Sequence, residues 1–361
     1  MGHPNLFDFA TSELSQDAFL CWLAALADHD DTELQRLGRS FIAWLWTTAT
    51  KVEVEPSHVR LQQKPRPQWK KIDVTLDVVV AGEKARLIIE DKTGTGPHDR
   101  QLERYLEVAE EKGVRTVPLY FKTGYHFGED VRATAAKYTV VGLSEWVEFL
   151  KAQTIHNDIF DDYRAYVSDM LEKRQATLAT LMSPTGHRAF EKDYVQFEFM
   201  KRLAVRCPEF IGRSVTYHDR SVSGQPWTQH AFAEFKGTLP GGTTEALFYR
   251  IDRRGGRWFL SVRQYAVVKG VPAAQVAKLA RLREYRKLLA DAVEGSATGL
   301  AFERAPVADH RGKNESEIGV LFFDDATNST TNVLEMIPAV HRAFVANLAR
   351  GSVSVGDGLP L

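Results

Sequence analysis

The chain has 361 residues, 44% hydrophobic and 26% charged, a composition that excludes a disordered or fibrous polymer at a length suited to two domains. Its two cysteines, Cys21 and Cys207, exclude a disulfide framework and a four-thiolate zinc site and fit a reducing cytoplasm. The net charge of −1 conceals a segregation: residues 201–290 hold 17 basic and 6 acidic side chains, whereas residues 1–200 hold 24 and 31 and residues 291–361 hold 5 and 10. A local surplus of +11 is what a polyanion-binding surface leaves in a sequence, and also what a solvated, salt-bridged face leaves. The opening residues lack a basic start followed by an apolar run, and no later stretch reaches about 18 uninterrupted apolar residues, so neither export nor a membrane span is expected.

From Glu13 to Asp28 the apolar residues Leu14, Ala18, Cys21, Trp22, Ala25 and Leu26 recur at three and four, behind Ser12 as N-cap, which predicts an amphipathic helix. A second helix is expected from Thr32 to about Thr48, then an extended segment from Val52 to Leu61. Ile72, Val74, Leu76, Val78 and Val80 alternate with Asp73, Thr75 and Asp77, and after Ala81-Gly82-Glu83 the run Ala85–Ile89 is apolar throughout, so the two read as a hairpin. A Thr-Gly-Thr-Gly-Pro loop at 93–97 leads to a helix near Asp99–Lys112, and Val114–Phe121 returns as a buried strand. A further helix, a strand at Tyr138–Val141 and an amphipathic Leu143–Leu150 complete a first domain, 1–152. Residues 153–208 read as a helical connector, broken at Ser183-Pro184-Thr185-Gly186. Strands at His230–Leu239, Glu245–Ile251 and Trp258–Tyr265, with a helix over Ala273–Ala292, make 209–361 a second domain of α+β type. No internal repeat or low-complexity tract is present.

The chemistry concentrates in Lys71-Ile72-Asp73-Val74, followed by Glu90-Asp91-Lys92 at the polar end of an apolar strand. Glu90 and Lys92 share one strand face, and a hairpin partner can bring Asp73 beside Glu90, so two carboxylates and an ammonium converge. Two close carboxylates repel unless a cation neutralises them, and oxygen ligands are what Mg²⁺ accepts. With the Lys92 ammonium beside metal-bound water, such a site suits phosphodiester hydrolysis. Asp77 lies on the same face as Asp73 and is the alternative ligand if the register shifts. A lone Glu-x-Lys is commonly a surface ion pair; the ordered set of features carries the reading here. No zinc-type spacing, P-loop, GxGxxG or GxSxG motif occurs, and the loop histidine His98 is at most an accessory phosphate contact.

These residues resemble the PD-(D/E)xK nuclease superfamily, in its prokaryotic branch, across roughly residues 5–125. The resemblance implies an α/β, restriction-endonuclease-like αβββαβ core, a mixed sheet flanked by helices. It also implies Mg²⁺, which Mn²⁺ can replace, held by Asp73, Glu90, the backbone carbonyl of Asp91 and the helix-borne Glu13. Lys92 then orients or activates water, and Gln101 and Tyr105, i and i+4 on the helix after the active-site strand, position substrate. An acidic residue in a helix's first turn also simply complements the dipole, which leaves Glu13 open. Lys71-Ile72 departs from the family's Pro-Asp.

The implied activity is metal-dependent cleavage of nucleic acid, DNA favoured over RNA, in prokaryotic defence or DNA repair. In the second domain Arg253, Arg254 and Arg257 flank a turn with Tyr249, Trp258 and Tyr265 interleaved, a pattern suited to nucleic acid or to a solvated hairpin tip. The rival readings are a binding protein that keeps the nuclease fold as scaffold and a nuclease gated by an effector on the second domain. A homo-oligomer stays open.

Overall fold

The computed structural model describes residues 4–10, 12–93, 100–128, 133–207, 215–218, 227–304 and 313–350, which excludes His3, His98 and most of the 93–97 loop. Two compact units emerge, Met1–Arg174 and Gln175–Leu361. The stretch 153–208, expected as a connector, is divided between their cores: Phe160, Tyr163 and Val167 are buried in the first, and Phe190, Val195, Phe199 and Leu203 in the second.

The first unit is organised by the apolar alternation of β3 (Ile72–Val80) and β4 (Glu83–Lys92), which pair antiparallel with Val74 opposite Ile89 and Val80 opposite Glu83. Ala81 and Gly82, at φ 49° and 86°, make the two-residue turn, whose right-handed twist needs positive φ at both positions. β1 (Val59–Leu61) and β2 (Arg66–Trp69) pair with the outer edge of β3, while β5 (Arg115–Lys122) and β6 (Thr139–Gly142) continue beyond β4 in parallel. The sheet is therefore mixed.

Both faces of this sheet are covered. Val74, Leu76, Val78, Leu87, Ile89 and Phe121 pack against α1 (Glu13–Ala25), α2 (Thr32–Thr50), α4 (Leu143–Ala152) and α5 (Asp158–Ala179). Ile72, Ile88 and Tyr120 on the other face pack against α3 (Gln101–Ala109). Leu76 has no exposed surface, so truncating it to alanine costs about 2–5 kcal/mol, the range for a cavity in a closed core. Ser12 caps α1 by accepting from Ser15 N, and Asp31 caps α2 by accepting from Glu33 N at 2.9 Å and Leu34 N at 3.1 Å.

The second unit is an antiparallel sheet in the order β11-β12-β10-β9-β8-β7. Its strands are β7 (Thr216–His218), β8 (Trp227–Leu239), β9 (Thr243–Arg254), β10 (Arg257–Ala266), β11 (Glu303–Arg304) and β12 (Glu315–Phe322). Tyr249, Ile251, Leu260 and Val262 project to one face and bury against α6 (Asp193–Arg206), α7 (Pro272–Ser296) and α8 (Thr330–Arg350). Among the described residues no helix is long and apolar enough to cross a membrane.

Candidate active site

The polar cluster lies at the carboxyl end of β4, where the apolar pairing of the hairpin gives way to Asp73 on one strand and Glu90 on the other. Lys92 Nζ stands at its centre: 2.7 Å from Glu90 Oε1, 3.5 Å from Asp73 Oδ2, 3.8 Å from Glu13 Oε2 and 2.8 Å from the Asp91 carbonyl oxygen. The ammonium thus touches every group expected to ligate a metal. Asp73 is held further by the Asp91 amide, which donates to Oδ2 at 2.9 Å, and Glu13 accepts from Thr93 N at 3.0 Å.

Asp77 is excluded from the cluster. It pairs across the hairpin with Arg86, whose Nε donates to it at 2.6 Å, and it also accepts from Gln63 and Arg66. Its carboxylate is consumed in a buried structural ion pair. Gln101 and Tyr105 face each other on α3, with the amide donating to the phenol oxygen at 2.9 Å, and the Tyr105 ring is buried with Ile88, Leu102 and Tyr138.

Three further residues enter that the sequence reading passed over. Asp17, one turn beyond Glu13 on α1, is 2% exposed. Gln68 joins it to the hairpin, donating from Nε2 to Asp17 at 3.2 Å and to Asp73 Oδ1 at 3.0 Å. Gln16 donates to the Asp91 carboxylate and accepts from Thr123 Oγ1 and the Tyr163 hydroxyl. The i, i+4 spacing of Glu13 and Asp17 was readable as one helix face; Gln68 was not, because its approach depends on a left-handed φ of 53° in β2.

The same turn also fixes the backbone of Lys71, two residues before Asp73. Lys70 and Lys71 sit at φ 53° and 72°, while Arg66, Lys70 and Arg86 stack on the Trp69 ring at 4.3, 4.4 and 4.9 Å. Proline is locked near −65° and cannot replace Lys71; at Ile72 it would force Lys71 out of the left-handed region.

The electrostatics follow from burial. Glu90 has no exposed surface, and desolvation, aided by the Asp73 charge, pushes its carboxyl up to about 8 despite the Lys92 ammonium. Burial, then Asp73, raises Asp17 to about 6, and burial, then Asp17, raises Asp91 well above the carboxylate range. For Lys92 burial acts downward, but Glu90, Asp73 and Glu13 together outweigh it and keep the amine protonated. Cys21 is pushed up to about 12 by burial and by Asp17, so its thiol is not a nucleophile.

Among the described residues, the hydrogen-bond and ion-pair partners of the Lys92 ammonium are oxygens, the donor class of a hard divalent cation, and Glu90 Oε2 is buried with no hydrogen-bond partner. The residues fit Mg²⁺ in chemistry. Among the described residues, however, no three acidic, His or Cys side chains already stand in coordinating proximity, because Lys92 Nζ takes the central place.

In the second unit, Arg254 Nη2 bonds both oxygens of Glu317 at 2.6 and 2.7 Å, and Arg253 pairs with Glu191 at 2.6 Å while covering the Trp258 ring at 5.3 Å. Arg257 lies 4.3 Å over the Phe322 ring. The neutralising carboxylates come from outside the basic block, which is why counting charges along the sequence overstated the hairpin's net positive charge. No family model matches this chain, and neither the curated proteins nor the solved structures contain a match to it.

Proposed function

We propose that the first unit is a Mg²⁺-dependent nuclease site of the PD-(D/E)xK type, acting on nucleic acid with DNA favoured. The observation that carries this reading is the convergence of Asp73, Glu90, Glu13 and the Asp91 carbonyl on Lys92 Nζ. Glu90 holds its proton at neutral pH in the metal-free site, and a divalent cation at these oxygens stabilises the ionised form that burial disfavours.

Asp73, Glu90 and the Asp91 carbonyl would hold the ion, with Glu13 at its side. When bound, Mg²⁺ supplies an acidified water and neutralises charge on the scissile phosphate. Lys92 keeps its proton at Nζ, hydrogen-bonds the attacking water and places positive charge where negative charge grows on phosphorus. Gln68 and the Asp91 amide fix the two oxygens of Asp73, and Gln16 fixes the Asp91 side chain, so the donor end of β4 is rigid before substrate arrives. The Gln101 amide, oriented by Tyr105, is the substrate-positioning group on α3.

Incubating the full chain with supercoiled plasmid, linear duplex and single-stranded RNA, with Mg²⁺ and with chelator, tests the proposal. Cleavage is expected with Mg²⁺ alone. Intact substrates together with calorimetric silence toward Mg²⁺ would instead support a scaffold that binds without cutting.

A further inference from the structure

The surplus of cations in residues 201–290 is unevenly spent. Arg250, Arg253, Arg254, Arg263 and Arg281 each hold a carboxylate. Arg283 and Lys287, exposed on α7, have no carboxylate partner among the described residues. They line a cavity of about 480 Å³ between α7 and the β11–β12 edge, a volume typical of small-molecule sites. Behind them Arg286 is 9% exposed and bonds the Glu317 carbonyl at 2.9 Å, so a third positive group is fixed in the same wall.

The rest of the lining is ordered along the helix. Leu289, Val293 and Phe302 supply an apolar middle, and Glu294 lies at the far end. At 1.5 Å per residue, Lys287 and Glu294 are roughly 10 Å apart along the axis, and Arg283 and Glu294 roughly 16 Å. Glu303, on β11, adds a second carboxylate to the lining. Gly319 on β12 permits this close approach of helix and sheet, since a Cβ there would fall 2.6 Å from Leu289 Cδ2. A ligand that satisfies all three zones carries an anionic group at one end, a flat apolar body, and hydrogen-bond donors at the other.

We propose that the α7–β12 cavity binds a mononucleotide-sized organic phosphate, its phosphate on Arg283 and Lys287, its ring over Leu289, Val293 and Phe302, and its donors on Glu294 and Glu303. The inference concerns the second unit alone and does not depend on the nuclease reading.

Calorimetric titration of the full chain with AMP, GMP, CMP and UMP, beside adenosine and inorganic phosphate, tests it. At least one mononucleotide is expected to bind with a micromolar Kd and at least tenfold more tightly than either adenosine or phosphate. R283E/K287E, which alters only exposed positions, and A290W, which fills the cavity from α7, should each weaken binding at least tenfold with the thermal midpoint retained, whereas E90Q should leave it unchanged. The absence of mononucleotide binding, phosphate binding as tightly as a nucleotide, equal affinity in both cavity variants, or a loss in E90Q instead would each overturn the proposal.

Discussion

Replacing Glu90 by glutamine removes a single titrating group while preserving its shape, and the structure sets the expected consequence. In the folded, metal-free protein the buried carboxyl is raised from 4.5 to about 8, whereas in the unfolded chain it ionises at its ordinary value. A carboxyl raised by folding favours the native state most at low pH, and that advantage disappears as pH climbs from the unfolded value to the folded one. Between pH 4.5 and 7 this amounts to about 3 kcal/mol, because nearly all of that interval lies below the folded pKa. For a domain of this size, roughly 2–4 °C per kcal/mol, the chelator-treated parent should lose about 6–12 °C in melting temperature relative to E90Q across the interval. Asp17 and Asp91, also raised, remain in both proteins and set the residual slope. Because ligands must be deprotonated to bind, Mg²⁺ should oppose the loss and stabilise the parent increasingly as pH rises. Differential scanning fluorimetry at half-unit pH steps, with chelator and with Mg²⁺, measures both effects. Parallel curves for parent and E90Q would refute the assignment of the proton to Glu90.

Lys92→Ala should reduce Mg²⁺-dependent cleavage by about 10²-fold or more, since a charge-stabilising group is lost, while Mg²⁺ binding measured by calorimetry persists; unaltered turnover would remove Lys92 from the chemistry. Asp73→Asn should weaken Mg²⁺ binding at least tenfold with a small change in stability, whereas Asp77→Asn should cost about 1–3 kcal/mol in urea unfolding, because buried Arg86 loses one of its two carboxylates and keeps Glu111, and should leave Mg²⁺ affinity intact. An Arg253/Arg254/Arg257 triple alanine variant tests the hairpin: direct phosphate contacts would flatten the salt dependence of DNA binding by roughly 0.9 per contact in log–log slope, and because Arg253 and Arg254 are held by Glu191 and Glu317, Arg257 alone predicts a change of no more than about one contact.

Much of the first unit was legible in the chain itself. β3 announces itself by a side-chain period of two and β4 by an apolar run buried on both faces; a one-residue slip would turn Val74, Leu76 and Val78 away from the helices they pack on and part Asp77 from Arg86. That register sets Asp77 opposite Arg86 and ends at Val74 opposite Ile89, beyond which Asp73 accepts from the Asp91 amide, so the choice between the two aspartates was implicit in hairpin length, although only the Arg86 pairing shows where the second carboxylate goes. Helix α1 was readable from its Ser12 cap and apolar spacing, and α2 from its apolar content, for the same reason: the information is local.

What tertiary structure alone decided depends on contacts between residues far apart in sequence. Gln68 reaches Asp17 across 51 positions through a left-handed backbone that no propensity predicts, and Gln16 reaches Asp91 across 75. The basic block was counted correctly, but its charge could not be balanced from the sequence, because Glu315 and Glu317 reach Arg250, Arg254 and Arg263 only when β12 lies beside β10. Composition determines how many charges a chain carries; strand order determines which of them remain unpaired, and here it leaves Arg283 and Lys287 lining a cavity and Lys92 enclosed by carboxylates.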